Sequence, residues 1–271
     1  KCLTISLGTV RYNETTPYGD GNYNILPKSK CFPCFPNSDC NDFKCHLDIS
    51  SKLVSSSIAC LIEDRFISER NLLKKISPFH LGSIEIKETF FTDLGLLATK
   101  DILNNDPSLE EIFKVFYRIM WLYFFKEKEE KVSFPKISKK YLTELEENLI
   151  GLQYIYELSE HAKNYSNYII NETSNPNPSI EVLKANSERL EEIDLSMEKL
   201  KKEYPFLYPI IQYSIFERAS LQGQELQEIA NNAFLSYQNC SLCSSVLHEL
   251  ISKSIEHLKS NKKRYEKNHS A

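Results

Sequence analysis

From residue 49 onward, apolar residues recur every three or four positions, with polar and charged residues between them. A period near 3.6 residues predicts amphipathic helices. In the first helix, about 49–77, the apolar stripe consists of Leu53, Val54, Ile58, Leu61, Ile62, Phe66 and Leu73. Further helices are predicted at about 83–104, 107–125, 138–170, 179–204, 209–237 and 241–262.

Residues 1–48 have a different pattern. Leu3, Ile5 and Val10 indicate a short extended segment, and prolines and glycines interrupt the residues after it. The stretch KCFPCFPNSDCNDFKC then carries four cysteines in sixteen residues. This zone is predicted to be mostly irregular and to be ordered by covalent cross-links.

The segment TSNPNPS at 173–179 predicts a turn between two helices, since each proline blocks helix continuation. After it, positions 183, 190, 197 and 204 carry Leu, Leu, Met and Tyr, a seven-residue repeat typical of coiled-coil-like packing. Antiparallel packing within the chain is the favoured explanation, and a coiled coil with a partner is the alternative. We therefore predict an all-α fold, in which a disulfide-stapled irregular N-terminal segment packs on a bundle of six to seven helices. The predicted segments are 1–48, 49–172, 179–262 and a flexible tail at 263–271.

The cysteine count is even and high, which is typical of disulfides in a secreted protein. The eight are Cys2, Cys31, Cys34, Cys40, Cys45, Cys60, Cys240 and Cys243. The first six are predicted to form three bridges, with Cys60 joining the first helix to the N-terminal cluster. Cys240 and Cys243 would pair with each other or reach that cluster.

Two other interpretations of these cysteines remain open. The C-x₂-C-x₅-C-x₄-C spacing could bind zinc, but it does not match paired zinc knuckles and leaves Cys2 and Cys60 over. The Cys31-Phe-Pro-Cys34 segment is similar to a thioredoxin-like redox motif. Against the redox interpretation, no strand is predicted before Cys31 because Pro27 interrupts that segment, and Pro36 with Asn37 opposes a following helix.

Charge and motifs exclude several classes of function. A formal net charge of −4 argues against a nucleic-acid partner. With only seven glycines, no phosphate-binding loop can be assembled. The histidines form no catalytic or metal-binding motif, and the acidic runs at 144–147 and 188–192 are interpreted as solvated helix faces. The chain is therefore predicted to be no enzyme, with no cofactor and no metal, and the apolar stretch 112–125 is too short to span a membrane.

Two sets of polar or aromatic residues are candidate surface sites. N-x-[ST] sequons mark five possible glycosylation sites: Asn13, Asn164, Asn171, Asn239 and Asn268. Around the Pro205/Pro209 break, four aromatic residues form a possible interface: Tyr204, Phe206, Tyr208 and Tyr213. A second group of four tyrosines lies beyond residue 153, and core packing is the default expectation for both groups.

The chain uses some amino acids much more often than others of similar chemistry. Lysine outnumbers arginine 26 to 7, and there are 20 asparagines and 25 isoleucines. Together with the cysteines, sequons and long helices, this usage resembles that of secreted or GPI-anchored surface and micronemal antigens of malaria parasites, although no family motif matches. The resemblance implies an extracellular or cell-surface location through the secretory pathway, with a lipid anchor following residue 271 as one option.

The resemblance also implies a function. The first hypothesis is adhesion, invasion or immune evasion through binding of a host, vector or parasite surface protein or glycan. A structural subunit of a secreted surface complex is the second hypothesis. A thiol-disulfide oxidoreductase acting through Cys31 and Cys34 is the third.

Overall fold

The computed structural model describes residues 1–8, 10, 15–34, 40–92, 95–104, 106–125, 137–220 and 225–268, with side chains of the last helix described as far as 260. The chain divides into two compact units, Lys1–Pro107 and Ser108–Ala271. The boundary after Pro107 differs from the predicted boundaries at 48 and 172. The predicted segments remain a prediction about domains. Helix makes up 66% of the structure, so the predicted helical character is confirmed. The all-α class is wrong, because the first unit contains a four-stranded sheet.

The sheet has the strand order β1-β2-β3-β4. Its strands are β1 (Leu3–Ile5), β2 (Tyr23–Pro27), β3 (Ile84–Phe91) and β4 (Leu97–Asp101). Strand β1 runs parallel to β2, whereas the β2–β3 and β3–β4 pairs are antiparallel. Every residue of β2 is buried, so a segment of the supposedly irregular N-terminal zone lies inside the sheet.

The β3–β4 hairpin replaces the helix predicted at 83–104. Ile84 and Ile86 are fully buried and alternate with the partly exposed Glu85, which is the two-residue period of a strand. Gly95 has φ +73° in the connecting turn, a left-handed conformation that glycine adopts without steric cost. The glycine that suggested an interrupted helix therefore belongs to the turn of a hairpin.

The helices of the first unit are short: α1 (Lys44–Asp48), α2 (Ser51–Glu63) and α3 (Glu69–Leu73), followed by a 3₁₀ turn at Pro78–Leu81. Helix α2 begins where the Ser50 side chain accepts a hydrogen bond from the Leu53 N–H, and Ser68 with Asn71 forms a capping box on α3. The single long helix predicted at 49–77 is therefore wrong. Ile62, on the predicted apolar stripe, is 70% exposed. The core of this unit consists of Tyr23, Ile25, Leu53, Cys60, Ile67, Leu72, Ile76, Leu81, Ile84 and Ile86.

The second unit is a helical bundle. Its helices are α4 (Leu109–Phe124), α5 (Leu142–Thr173), α6 (Ile180–Glu203), α7 (Tyr208–Ala219) and α8 (Leu226–Asn268), with 3₁₀ turns at Lys139–Tyr141 and Pro205–Leu207. Helix α5 packs mainly against α8 and then against α6, and α7 lies on α8. Of the helices in the described ranges, none is long and apolar enough to cross a membrane.

Two predicted details of the bundle need correction. Helix α4 begins at Leu109 rather than at the predicted residue 107, and it is capped by Ser108, whose side chain accepts from the Glu111 N–H. Helix α8 continues through residues 237–241, where a break was predicted, because glycine and proline are both missing there. The packing of α6 against α5 across the turn after Thr173 agrees with the expected antiparallel arrangement, and buries Ile193 and Met197.

A polar cluster joins three helices of the bundle. Arg218 of α7 places its Nη2 2.8 Å from Oδ1 of Asp194 on α6. The same oxygen accepts a hydrogen bond of 2.9 Å from the hydroxyl of Tyr237 on α8, and the guanidinium lies 4.5 Å from the centre of that tyrosine ring. The Arg218 side chain is only 10% exposed, so its charge depends on these partners.

Candidate functional site: an acidic cavity beside Pro205

One face of α5 meets the chain reversal that comes after α6. Glu144, Glu147, Asn148 and Gly151 share this face, because they are spaced three, four and seven residues from the first. Pro205 ends α6 and begins the 3₁₀ turn, since proline cannot continue a helix. Because the chain changes direction at Pro205, Tyr204 and the residues that follow it lie against α5.

Gly151 sets how closely the two segments approach. A Cβ atom at this position would lie 2.7 Å from Cγ of Tyr204 and 2.8 Å from Cδ1 of Leu207. Carbon atoms in contact are normally about 3.5–4.0 Å apart, so only glycine allows this arrangement. Because Gly151 has no Cβ, the Tyr204 ring can pack directly against the backbone of α5.

Beside this contact lies a cavity of about 390 Å³. That volume is within the range of about 300–1,000 Å³ usual for ligand sites. Helix α5 contributes Glu144, Glu147, Asn148 and Ile150 to its wall. The end of α6 and the 3₁₀ turn contribute Glu203, Tyr204, Pro205 and Phe206.

The cavity carries concentrated negative charge. Glu144, Glu147 and Glu203 are all exposed, so their carboxylates lie at its solvent side. Within the described ranges, none of the three forms an ion pair with a lysine or arginine. Burial, together with the adjacent Glu203 carboxylate, raises the pKa of the Tyr204 hydroxyl. The site therefore favours a positively charged guest over an anion.

Asn148 carries a buried acceptor in the wall of the cavity. The residue is one of those that line the cavity, although it is only 5% exposed. The Nδ2 atom donates to the Glu144 carbonyl at 2.7 Å, which identifies the other amide atom as oxygen. That oxygen, Oδ1, has no hydrogen-bond partner among the described residues. This oxygen is closed to solvent, and an unsatisfied buried acceptor costs about 1–3 kcal/mol of stability.

The structure separates the four aromatic residues proposed as an interface. Tyr204 and Phe206 line the cavity, and the Phe206 ring also stacks on Phe113 with centroids 4.9 Å apart. Tyr208 is 46% exposed nearby. Tyr213 instead packs edge-on against Trp121 at 5.0 Å, within the bundle. Two of the four therefore belong to the candidate site.

The acidic members of the site were missed in the sequence because a solvated helix face explains them equally well. The i, i+3, i+4 spacing of Glu144, Glu147 and Asn148 places them together but does not show what faces them. The missing information is tertiary: the position of Tyr204 opposite that face. An asparagine at helical spacing from two glutamates is the one local signal that points to this face of α5.

Three cysteines of the N-terminal zone lie near enough to Cys34 to affect its thiol: Cys31, Cys40 and Cys45. Burial raises the pKa of the Cys34 thiol, and the neighbouring Cys31, Cys40 and Cys45 raise it further. No disulfide bond is present among the described residues, so the predicted stapling is not shown and the pairing remains a prediction. Cys60 lies in the hydrophobic core of the first unit and is fully buried.

The redox interpretation of Cys31 and Cys34 changes in one respect. A strand, β2, does precede Cys31, contrary to the sequence expectation. However, residues 31–34 form no helix, and the pKa of Cys34 is raised, whereas a redox-active thiol has a lowered one. Residues 35–39, which include Pro36 and Asn37, lie outside the described part of the chain. Within that part, no group of three or more His, Cys, Asp or Glu side chains could hold a metal ion.

Cys240 and Cys243 lie three residues apart on α8, in the core of the second unit, and both are fully buried. Cβ atoms at this helical spacing are about 5–6 Å apart, whereas a disulfide needs about 3.5–4.5 Å. A bridge between the two would therefore require local distortion of the helix. Burial raises the pKa of both thiols, that of Cys243 to about 12.

In the thiol form, these two cysteines should make stability depend on pH. In the unfolded chain a thiol ionises near pH ~8.5, whereas the folded Cys243 keeps its proton up to about 12. The folded state then binds more protons, so the free energy of unfolding should fall as the pH rises above about 8.5. Urea unfolding at pH values of about 7.5, 8.5 and 9.5 measures this slope, and Cys243→Ala should reduce it. Equal stability at all three pH values would contradict the thiol form and support oxidised cysteines.

Three of the five sequon asparagines have described side chains. Asn164 and Asn171 are exposed on α5, where a glycan could be accommodated. Asn239 is half-buried on α8 and donates to Glu217 at 3.3 Å. Asn13 and the side chain of Asn268 lie outside the described part of the chain. Glycosylation remains a prediction at all five positions.

A second, smaller cavity of about 120 Å³ lies between α5 and α8. Its lining residues are Leu152, Gln153, Tyr156, Ser244, Ser245 and His248. Nδ1 of His248 lies 3.5 Å from Oγ of Ser252, at the outer limit of a hydrogen bond. A volume equal to about four water molecules is too small for most substrates.

Comparison of the chain with protein-family models, curated proteins and solved structures finds no match in any of the three. The resemblance to malaria-parasite antigens therefore stays an interpretation of residue usage. Function has to be inferred from the chemistry of the acidic cavity.

Proposed function

We propose that this chain is a non-enzymatic secreted or cell-surface protein that acts in host or vector contact by binding a protein partner. The acidic cavity in the second unit is its binding site. The observation that carries this proposal is the group of three exposed carboxylates, those of Glu144, Glu147 and Glu203, around a cavity of about 390 Å³. Such a site provides acceptors and negative charge, and its complement is a donor with positive charge.

A protein fits that description better than a glycan or a nucleic acid. Lysine and arginine side chains carry both the charge and the N–H donors, whereas phosphates would be repelled by the glutamates. Large side chains near the cavity extend the contact surface: Ile150 is 54% exposed and Tyr154 is 49% exposed. Exposed tyrosine is a frequent anchor in protein interfaces.

The structural-subunit alternative would use either the heptad helix α6 or the aromatic residues at the Pro205 break as its docking face, and only the second face is open. The heptad seam of α6 is covered within the chain, since Ile193 and Met197 are buried against the bundle. The aromatic residues at the Pro205 break do line an open cavity, and a permanent partner could use the same surface. The oxidoreductase alternative has less support, because the Cys34 thiol is harder to ionise than an ordinary one.

The experiment that tests the proposal uses the full chain on an array of immobilised short peptides of basic, neutral and acidic composition. We expect binding to basic peptides that weakens with added salt, as for exposed charge pairs. The E144Q/E147Q/E203Q variant should lose affinity by about tenfold or more. The E181Q/E188Q/E191Q variant is the matched control, since it removes the same charge from exposed positions on α6.

Three results would contradict the proposal. The first is the same loss of affinity in both triple variants, which would indicate bulk charge rather than a site. The second is no preference for basic peptides at any salt concentration. The third is binding of neutral glycans by wild type that is unchanged in E144Q/E147Q/E203Q, which would mean that recognition occurs at another surface.

A further inference from the structure

We propose that two disulfide bonds form within one group of four cysteines in the first unit, and that the other two cysteines of this unit stay thiols. The four-cysteine group consists of Cys31, Cys34, Cys40 and Cys45. The two thiols are Cys2 and Cys60. This pattern differs from the three bridges expected from the sequence. Because the bridges need an oxidising compartment, the inference rests on the secreted or cell-surface location in the proposed function.

The fold brings the four-cysteine group together beyond the end of β2. The Ser29 hydroxyl donates a hydrogen bond to the Asp48 carboxylate, so the segment that continues to Cys31 lies beside the end of α1. Cys45 is on α1, about one helical turn before Asp48. Burial raises the pKa of the Cys34 thiol, and the three other members of the group raise it further, so all three lie within electrostatic range of it.

Cys2 lies at the opposite end of β1 from this group. The Tyr23 N–H donates to the Cys2 carbonyl at 2.9 Å, before β1 begins, whereas the Cys34 N–H donates to the Gly8 carbonyl at 2.9 Å, after β1 ends. The extended backbone from Cys2 to Ser6 spans about 13 Å. A disulfide joins Cα atoms no more than about 7 Å apart, so Cys2 lies out of reach of Cys34.

Cys60 is separated from the group along helix α2. Helix α2 begins at Ser51, and Cys60 lies about 13 Å further along the helix axis. Helix α1, which carries Cys45, packs mainly against β2 rather than along α2. The Cys60 side chain is also fully buried in the core of the unit, so no member of the group reaches it without moving α2.

The sheet also keeps Cys2 and Cys60 apart. Leu3 packs against the core to which Cys60 belongs. Successive side chains of an extended strand point to opposite faces, so Cys2, directly before Leu3, faces away from that core. Their exposure agrees with this, since Cys2 is exposed and Cys60 is fully buried. Neither cysteine therefore has a partner within this unit.

Each bridge forms by thiol–disulfide exchange with a disulfide donor, either a small molecule such as oxidised glutathione or a protein. A thiolate of the group attacks one sulfur of the donor, which breaks the donor's S–S bond and forms a mixed disulfide. A second thiolate of the group then attacks the mixed disulfide and releases the donor's other sulfur. Two protein thiols thereby lose two protons and two electrons, and the donor takes them up as two thiols. A second exchange forms the second bridge.

The test is a tryptic map of the full chain, secreted from a eukaryotic host and alkylated under denaturing conditions without reductant. Cleavage after lysine and arginine separates the cysteines, because Lys44 lies between Cys40 and Cys45. The fragment ending at Arg11 contains Cys2, fragment 31–44 contains three members of the group, 45–52 contains Cys45, and 53–65 contains Cys60.

We expect fragments 31–44 and 45–52 to appear as one linked species, with a mass that corresponds to two disulfide bonds and no alkylation. This holds for every pairing within the group, because Cys45 has partners only in fragment 31–44. The fragment ending at Arg11 and fragment 53–65 should each be recovered separately with one alkyl group.

Two variants make the map specific. Cys45→Ser should leave one bridge and one alkylated thiol within fragment 31–44. Cys2→Ser is the matched control, since it removes a cysteine at an exposed position outside the group, and it should leave the linked species unchanged. The wild-type map tests the proposal even if Cys45→Ser, which changes a buried residue, folds poorly.

Two outcomes would overturn the inference. Linkage of the Arg11 fragment or of fragment 53–65 to fragment 31–44 would support the three-bridge pattern instead. Alkylation of every cysteine in fragments 31–44 and 45–52 would show that the group stays reduced. The peptide array on the same preparation tests the proposed function separately: binding of basic peptides that is lost in E144Q/E147Q/E203Q would support the binding site even if the map contradicts the bridges.

Discussion

Replacing Asp194 with alanine is expected to lower the free energy of unfolding by about 2 kcal/mol. The substitution leaves the guanidinium of Arg218, whose side chain is 10% exposed, without its carboxylate. It also removes the acceptor of the Tyr237 hydroxyl. Breaking a fully buried pair costs about 3–5 kcal/mol, and the smaller value reflects the 41% exposure of the Asp194 side chain.

Urea unfolding of the full chain measures this effect, and two further variants make it specific. Replacing both partners, Asp194→Leu with Arg218→Met, should cost less than Asp194→Ala alone, because no buried charge is left unpaired. Glu188→Ala is the control, since that residue pairs with Lys184 at 3.8 Å on an exposed surface. The control should change stability by less than about 0.5 kcal/mol. An equal loss in Asp194→Ala and the control would show that the cluster contributes little.

The variant Gly151→Val should lower the free energy of unfolding by about 2–3 kcal/mol. Its Cβ would lie 2.7 Å from the ring carbon Cγ of Tyr204, and the ring base cannot move without moving the backbone after α6. Helix propensity alone predicts that replacing a helical glycine stabilises the protein. A loss of stability in Gly151→Val would therefore have to come from the steric clash with Tyr204. Thermal and urea unfolding measure the change.

A double-mutant cycle identifies the cause of that loss. In a Tyr204→Ala background most of the ring that meets the new side chain is gone, so Gly151→Val should cost at least about 1 kcal/mol less. The cycle would contradict the close-packing argument if the two substitutions were additive. Gly151→Val should also weaken binding of basic peptides, because it displaces a wall of the cavity.

The long helices of the second unit could be predicted because their signals are local. Repeated apolar spacing marks α5 and α6, and the Asn-Pro segment between them marks their turn. The β3–β4 hairpin was missed although Ile84 and Ile86 alternate with polar residues. The alternating stretch is short, and a helix interrupted at Gly95 is equally compatible with the sequence of residues 83–104.

The acidic cavity and the sheet depend on contacts between distant residues. Strand β2 pairs with β3 in a register that joins Tyr23 to Glu88, and nothing near either residue specifies the other. The cavity requires Tyr204 to sit against Gly151, which results from two helices packing and a proline ending one of them. Local patterns therefore predict the helices that form the site, but they do not predict that these helices enclose a cavity.

The position of β2 has a consequence for how the protein is made. A ribosome releases Tyr23 long before Glu88, its partner 65 residues later in the chain. Five cysteines, from Cys31 to Cys60, emerge during that interval. Until β3 arrives, no completed sheet holds this segment in place, so thiol oxidation during synthesis would act on an unordered chain. We therefore expect recombinant yield to depend on a disulfide isomerase or on reducing conditions while the residues up to β4 fold.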